Sequence, residues 1–267
     1  MVRRMAKRFE GQVAWITGGG SGIGKALALE LAREGAHVAV SGRREARLQE
    51  VAREVSAIGG RGLAVPCDVR DEAAVREAAD QVASVLGRMD VCVANAGFGV
   101  VGKIEELTAE DWRRQLDVNV VGLTQTVRFA LPHLRQTGGR IGLLGSVAAM
   151  LPLPKNGAYV ASKYAVRGIG QTLSIELHGS GVSCTTIHPG FVESEIAQVD
   201  NEGRHDPSRK DPRPAKLMWS AEKAAKAMVG ALHRRDREHV FTGHGKLAGF
   251  VGRHMPGVAH LLMTRNG

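Results

Sequence analysis

The chain has 267 residues, 43% of them hydrophobic and 34 of them glycine, which suits one α/β domain with many tight turns and excludes a disordered chain. No run approaches the ~18 consecutive apolar residues needed to cross a bilayer. The net charge of +9 is spread along the sequence and aromatic residues make up only 4%, so it fits attraction of an anionic cofactor and argues against a nucleic-acid partner.

Residues 1–11 open with Met-Val-Arg-Arg-Met-Ala-Lys-Arg and no apolar signal core follows, so they read as a short basic arm and not a targeting sequence. The cysteines Cys67, Cys92 and Cys184 are odd in number, lack metal-ligand spacing and lie in or beside apolar runs. They read as reduced residues of a cytoplasmic protein without a metal site.

Gln12 to Thr17 is a short apolar stretch and reads as a buried parallel strand. It runs into Gly18-Gly19-Gly20-Ser21-Gly22-Ile23-Gly24, after which Ile23, Leu27 and Leu31 recur at helical spacing. Strand, glycine turn and helix together present backbone N–H groups and a helix N-terminus to a pyrophosphate, and a Cβ in the turn would hold the phosphates off. The next strand, His37 to Ser41, ends in Gly42-Arg43-Arg44. An acidic residue there would grip the ribose 2′-hydroxyl of NAD, whereas Arg43 and Arg44 suit a 2′-phosphate, so NADP(H) is expected over NAD(H).

A helix is expected from Arg44 to Ala57, then a strand over Leu63 to Val65. Asp68 follows at a carboxyl end, where it either reaches an adenine amine or only shapes a turn. Asp71 reads as the cap of a helix running to Leu86. Strand four, Val91 to Ala94, opens onto Asn95-Ala96-Gly97, small residues that allow close approach of a cofactor. Thr108 and Asp111 form a capping box, and a long helix is expected from there towards Leu134. Asn119 inside it is locally unfavourable, which implies either a catalytic duty or a structural bond to a neighbouring strand.

Strand five, Arg140 to Leu144, delivers Ser146, thirteen positions before Tyr159. On the helix from Gly157 to about Gly179, Tyr159 and Lys163 are i and i+4 and rise from one face. A phenol of pKa near 10 needs about 3 to 4 kcal/mol of help to work near neutrality. A cation about 5 Å away supplies ~3 kcal/mol at an effective dielectric constant of ~20, so Lys163 is expected to depress it. Strand six, Val182 to Ile187, ends in His188-Pro189-Gly190.

Residues 190–219 contain a long charged stretch and read as a substrate lid. Ser220 caps a final helix to Arg234, and His239 to Thr242 reads as a seventh, edge strand. The tail, residues 244–267, is apolar and broken by Pro256-Gly257. It suits docking on a partner subunit, covering the substrate pocket, or resting on a membrane surface.

With these motifs in order from about Gln12 to Thr242, the chain resembles the short-chain dehydrogenase/reductase family. The resemblance implies one Rossmann-type domain over residues 12–243, with a doubly wound, parallel, seven-stranded sheet flanked by helices. It implies catalytic roles for Asn119, Ser146, Tyr159 and Lys163. Cofactor contacts would come from Gly18, Gly20, Ser21, Gly22, Ile23, Gly24, Arg43, Arg44, Asp68, Val69, Asn95, Ala96, Gly97, Tyr159, Lys163, Pro189, Gly190, Val192 and Ser194. Ser194 stands where many members carry threonine. Homodimers or homotetramers are common in the family. The implied activity is hydride transfer between nicotinamide and a carbonyl or secondary alcohol. Val147, Ala148, Met150, Leu151 and Leu153, with Met218 and Trp219 at the lid's end, point to an apolar ketone, steroid-like or acyl-chain-like. A non-catalytic NADP-binding sensor on the same fold is the competing expectation, and the complete set of four catalytic residues weighs against it.

Overall fold

A computed structural model describes residues 7–265, so the first six residues of the basic arm lie outside the described residues. The chain enters at β1 (Val13–Thr17), whose five residues are all buried. Val13 and Trp15 face one core while Ala14 and Ile16 face another. That is the two-residue alternation of a strand covered on both sides, and it explains why the stretch reads as continuously apolar.

From β1 the chain runs through α1 (Gly22–Arg33), β2 (His37–Gly42), α2 (Glu45–Ile58), β3 (Gly62–Pro66), α3 (Glu72–Leu86) and β4 (Val91–Ala94). It continues through α4 (Ala109–Leu116), a π turn (Asp117–Val121), α5 (Gly122–Thr137), β5 (Arg140–Leu144), α6 (Gly157–Glu176) and β6 (Ser183–His188). It ends with α7 (Ala221–Arg234), β7 (Glu238–Val240), α8 (Gly243–His254) and α9 (Pro256–Arg265). The strands form one parallel sheet in the order β3-β2-β1-β4-β5-β6-β7. One core gathers α3, α5 and α6 around Val82, Leu134 and Leu173; the other gathers α1, α2 and α7 around Leu27, Val51 and Met228. Because the strand order reverses between β1 and β4, a crevice opens at their carboxyl ends.

Local chemistry sets the helix starts. The Asp71 carboxylate accepts the Ala73 and Ala74 N–H groups, the Thr108/Asp111 capping box is complete, and Ser220 accepts the Lys223 N–H. The expected uninterrupted helix from Thr108 is instead two helices joined by the π turn. There, Gln115 and Asn119 both anchor on the loop after β4: the Gln115 side chain donates to Phe98 O (2.8 Å) and accepts from Val100 N (2.7 Å).

The edge strand sits earlier than expected, at Glu238–Val240. Thr242 (φ 72°) has already left it and caps α8, its hydroxyl accepting the Gly245 N–H at 3.0 Å. The tail folds as α8 and α9. Gly249 and Gly252 let α8 lie against Met150: a Cβ on Gly249 would meet its sulfur at 3.0 Å, and one on Gly252 would collide with its carbonyl oxygen. Leu247 and Phe250 on the outer side are 66% and 57% exposed, so α8 covers the segment after Ser146 and leaves a second apolar side open. Among the described residues no helix is long and apolar enough to cross a membrane.

Candidate active site

A cavity of about 500 Å³ follows the carboxyl ends of β1, β2, β4 and β5. Its floor is the glycine turn, with Gly18, Gly20, Ser21, Gly22, Ile23 and Gly24 all lining it. Gly18 and Gly22 take left-handed backbone (φ 66° and 52°), and a Cβ on Gly24 would collide with the Gly18 carbonyl oxygen. The turn is pinned to β4 by Asn95, whose amide donates to Thr17 O (2.9 Å) and Gly18 O (3.0 Å). Thr17 Oγ1 returns the tie by accepting the Asn95 and Ala96 N–H groups at 3.2 and 3.3 Å. Asn95, Ala96 and Gly97 line the cavity beside it. The Ser21 hydroxyl makes no capping bond to α1, so that helix N-terminus presents its N–H groups to the cavity, as an anion requires.

Arg43, Arg44, Asp68, Val69 and Ser194 also line it. Arg44 donates to Ser21 Oγ (2.8 Å) and to Glu195 (2.8 Å), while Arg43 donates to the Gly203 carbonyl (2.8 Å). Asp68 is forked by the Arg70 guanidinium (2.7 Å), which holds its carboxyl below the ordinary value against the opposing pull of burial. Part of the charged stretch, Glu202 to His205, lies against this same nucleotide end, and Asn201 fastens it by bonding both N and O of Val101 at 2.9 Å. A dinucleotide fits this donor set: a glycine cradle without Cβ atoms, an open helix N-terminus, and two arginines where an NAD-type site would carry a carboxylate.

Asn119, Ser146, Tyr159 and Lys163 do not line that cavity; they cluster beyond it, around the end of β5. Ser146 caps a short 3₁₀ turn (Val147–Ala149), its Oγ accepting the Ala148 N–H at 3.1 Å. The Tyr159 phenol meets the Ser146 hydroxyl, as the sequence spacing suggested. Lys163 is 5% exposed, sits 5.6 Å from the centroid of the Tyr159 ring and donates to Leu144 O at 2.7 Å. Burial brings its ammonium down to about 8.

The phenol departs from expectation. Burial raises its pKa above the ordinary value, and the groups that oppose this are the Ser146 hydroxyl and the Arg213 guanidinium, not Lys163. A buried phenol loses more hydration than one ammonium, itself desolvated, restores. Arg213 went unrecognised in the sequence because nothing marks it among the other arginines of its charged stretch. It donates to Val192 O (3.0 Å) and, at 3.4 Å, to both O and Oγ of Ser194, while paired with Asp211 (2.7 Å).

The Asn119 side chain is taken up by the loop after β4 and by α6. It donates to Phe98 O (3.0 Å) and Ser162 Oγ (3.1 Å) and accepts the Phe98 N–H (3.1 Å). Pro189, Gly190 and Val192 brace the site from behind and do not line the cavity. The Pro189 carbonyl accepts the Val147 N–H at 3.0 Å, a Cβ on Gly190 would come within 2.5 Å of His244, and Val192 is 1% exposed. Trp219, expected on the pocket wall, packs against the core at 5.7 Å from Phe241, with the Lys223 ammonium 4.1 Å over its ring.

Residues 12–205 match the sequence model of the short chain dehydrogenase family. An 11-beta-hydroxysteroid dehydrogenase A of Sesamum indicum is 40% identical over 192 residues, a match that takes in 70% of this chain and 54% of that protein. The chain thus spans about half the length of that relative. Two solved structures share the fold. A short chain dehydrogenase/reductase from Burkholderia phymatum in complex with NAD has TM-score 0.78 and 29% identity, covering 86% of this chain and 89% of that one. A short chain dehydrogenase from Burkholderia cenocepacia J2315 in complex with NADP has TM-score 0.77 and 32% identity, covering 86% and 96%. With its parallel sheet, its glycine turn at the β1/β4 crevice and the convergence of Ser146, Tyr159 and Lys163, the chain belongs to the short-chain dehydrogenase/reductase family.

Proposed function

We propose that this chain is an NADP-dependent oxidoreductase that interconverts a ketone and a secondary alcohol. The observation that carries the reading is the meeting of the Ser146 hydroxyl and the Tyr159 phenol beside a buried Lys163, next to a cavity shaped for a dinucleotide.

The glycine turn and the α1 N-terminus would hold the pyrophosphate, and Arg43 and Arg44 the 2′-phosphate; when bound, the nicotinamide supplies the hydride. Ser146 and Tyr159 hydrogen-bond the substrate carbonyl oxygen, and Tyr159 gives its proton to that oxygen as negative charge develops there. A phenol raised by burial arrives protonated, as a proton donor must. Lys163 keeps positive charge beside the ring and, with the cofactor bound, would hold the nicotinamide ribose. Asn119 holds the loop after β4 against α6 through Phe98 and Ser162, a positioning role for the site.

For the substrate we favour an apolar ketone. Ala148 and Met150, expected on the pocket wall, are instead buried beneath α8; the reading is supported by the apolar Phe98 and Val118 on the cavity lining and by the sesame relative's name of a steroid dehydrogenase. We further assign residues 12–243 to one domain with 190–219 as its lid, place the protein in the reducing cytoplasm on the strength of three buried free cysteines, and assign it self-association through exposed apolar residues such as Tyr164 and Ile175. Incubation with NADPH and a carbonyl library tests the activity: absorbance at the reduced-nicotinamide band falls with hydrophobic ketones, and faster reduction of polyhydroxylated, sugar-like ketones would overturn the substrate assignment.

A further inference from the structure

Behind Ser146 lies a side-chain network that the proposed chemistry does not use. His188, the last residue of β6, is fully buried, and its ring fills the space that Gly145 leaves by lacking a Cβ; one built there would stand 2.5 Å from Nδ1. His188 Nδ1 lies 3.3 Å from the backbone N and 3.0 Å from the backbone O of Ser146. On the ring's other side, Nε2 is 3.0 Å from Oε1 of Glu238 on β7. The same carboxylate oxygen receives Arg167 of α6 at 2.9 Å and Arg253 of α8 at 2.6 Å. Three elements therefore meet on one carboxylate, which faces the ring that faces Ser146.

The charges restrict the ring. Held among these partners, Glu238 stays ionised, so a ring presenting a bare Nε2 would set a lone pair against a negative charge. With Nε2 protonated, Nδ1 either accepts the Ser146 N–H or, in a doubly protonated ring, donates to the Ser146 carbonyl. Both arrangements grip the peptide of Ser146.

We propose that His188 is a positioning residue for Ser146, fixing that peptide so that Oγ faces the Tyr159 phenol, and that Glu238 braces it and links it to α8 through Arg253. The proposal rests on Ser146 acting as a hydrogen-bond donor to the substrate oxygen.

Two substitutions separate the two sides of the ring. In His188→Asn the carboxamide reaches about as far as Nδ1, so the Ser146 contact survives and the Glu238 contact is lost. In His188→Gln it reaches the place of Nε2, and the losses are reversed. The expected result is that His188→Gln lowers kcat by about 30-fold or more, with NADPH Kd and thermal midpoint close to wild type, since misplacing a reacting group by ~1 Å costs on the order of 100-fold. His188→Asn is expected to lower kcat by only about two- to threefold, the loss of the Glu238 brace alone and the same loss expected of Glu238→Ala, because the Ser146 contact is retained. Equal kcat losses in both variants, or wild-type kcat in His188→Gln, would overturn the proposal.

Should either buried substitution fail to fold, Glu238→Ala on the edge strand carries the test, with kcat normalised to NADPH binding sites; an unchanged value overturns it. Ser146→Ala distinguishes the underlying reading. Retained turnover there sinks the role of Ser146 itself, whereas an inactive Ser146→Ala beside a fully active His188→Gln sinks only the positioning role.

Discussion

At the nucleotide end of the cleft, the groups that shape the site come largely from one stretch, Thr17 to Gly24, and act through backbone: left-handed glycines, a helix N-terminus, and carbonyls pinned by Asn95. At the Tyr159 end they come from β5, α6, the charged stretch and the strand edge, and act through side chains that meet across the sheet. The first kind of site tolerates almost no added atoms but needs few particular side chains. The second depends on the protonation and aim of each one.

Tyr159→Phe should divide the two ends most sharply. Removing the transferable proton should lower kcat by about 10²- to 10⁴-fold while NADPH Kd, measured by fluorescence titration, holds at the wild-type value. A comparable loss of binding would mean the ends are not separate. Next in size, a double Arg43→Ala, Arg44→Ala variant should raise the KM for NADPH by about 10- to 100-fold and leave that for NADH nearly unchanged, because only the former offers a phosphate to charge-assisted bonds. Equal losses for both cofactors would assign the arginines to the pyrophosphate or to the strap that Arg43 holds at Gly203.

How much of this was legible in the sequence follows the same division. β4 and β5 sit where apolar runs placed them, and the caps at Asp71, Thr108 and Ser220 fall at the expected residues, because each is decided by neighbours a few positions away. The π turn did not announce itself, since the loop that widens it lies elsewhere in the chain. Nor did Arg213 or the His188–Glu238 contact, whose partners are set only when β5, β6 and β7 are side by side. Lys163 shows the limit of spacing arguments: i and i+4 placed it beside Tyr159 correctly, but the phenol's own burial set the direction of its shift.

A third test bears on that burial. With the ammonium held at about 8, kcat/KM for reduction should fall as pH rises through about 8, because Lys163 loses its charge there while the phenol, raised, keeps its proton. Between about 8 and the ordinary value of 10.5 the unfolded chain holds a proton that the folded one lacks, so this group's contribution to stability rises with pH over that window. A profile flat to pH 10 would remove Lys163 from the free enzyme's titrating groups.

The smallest effect concerns Glu238, held at about 2 chiefly by the His188 ring, whose Nε2 stands 3.0 Å away, and then by Arg167. Its contribution is complete above the ordinary value of 4.5 and is lost as pH falls towards 2. Urea midpoints of wild type and Glu238→Gln should differ at pH 6 and converge near pH 2. A constant gap would mean that the charge is irrelevant.

The π turn at Asp117–Val121 has a bearing on how this chain can change length. Such a turn stores one residue more than a straight α-helix spanning the same distance, and in an ordinary helix losing one residue rotates everything beyond it by about 100°. Here a single deletion would instead draw α4 and α5 into one rod with their packed sides still in phase. The amide at 119 would then slip out of step with Phe98, leaving a sound scaffold whose cleft had lost its alignment.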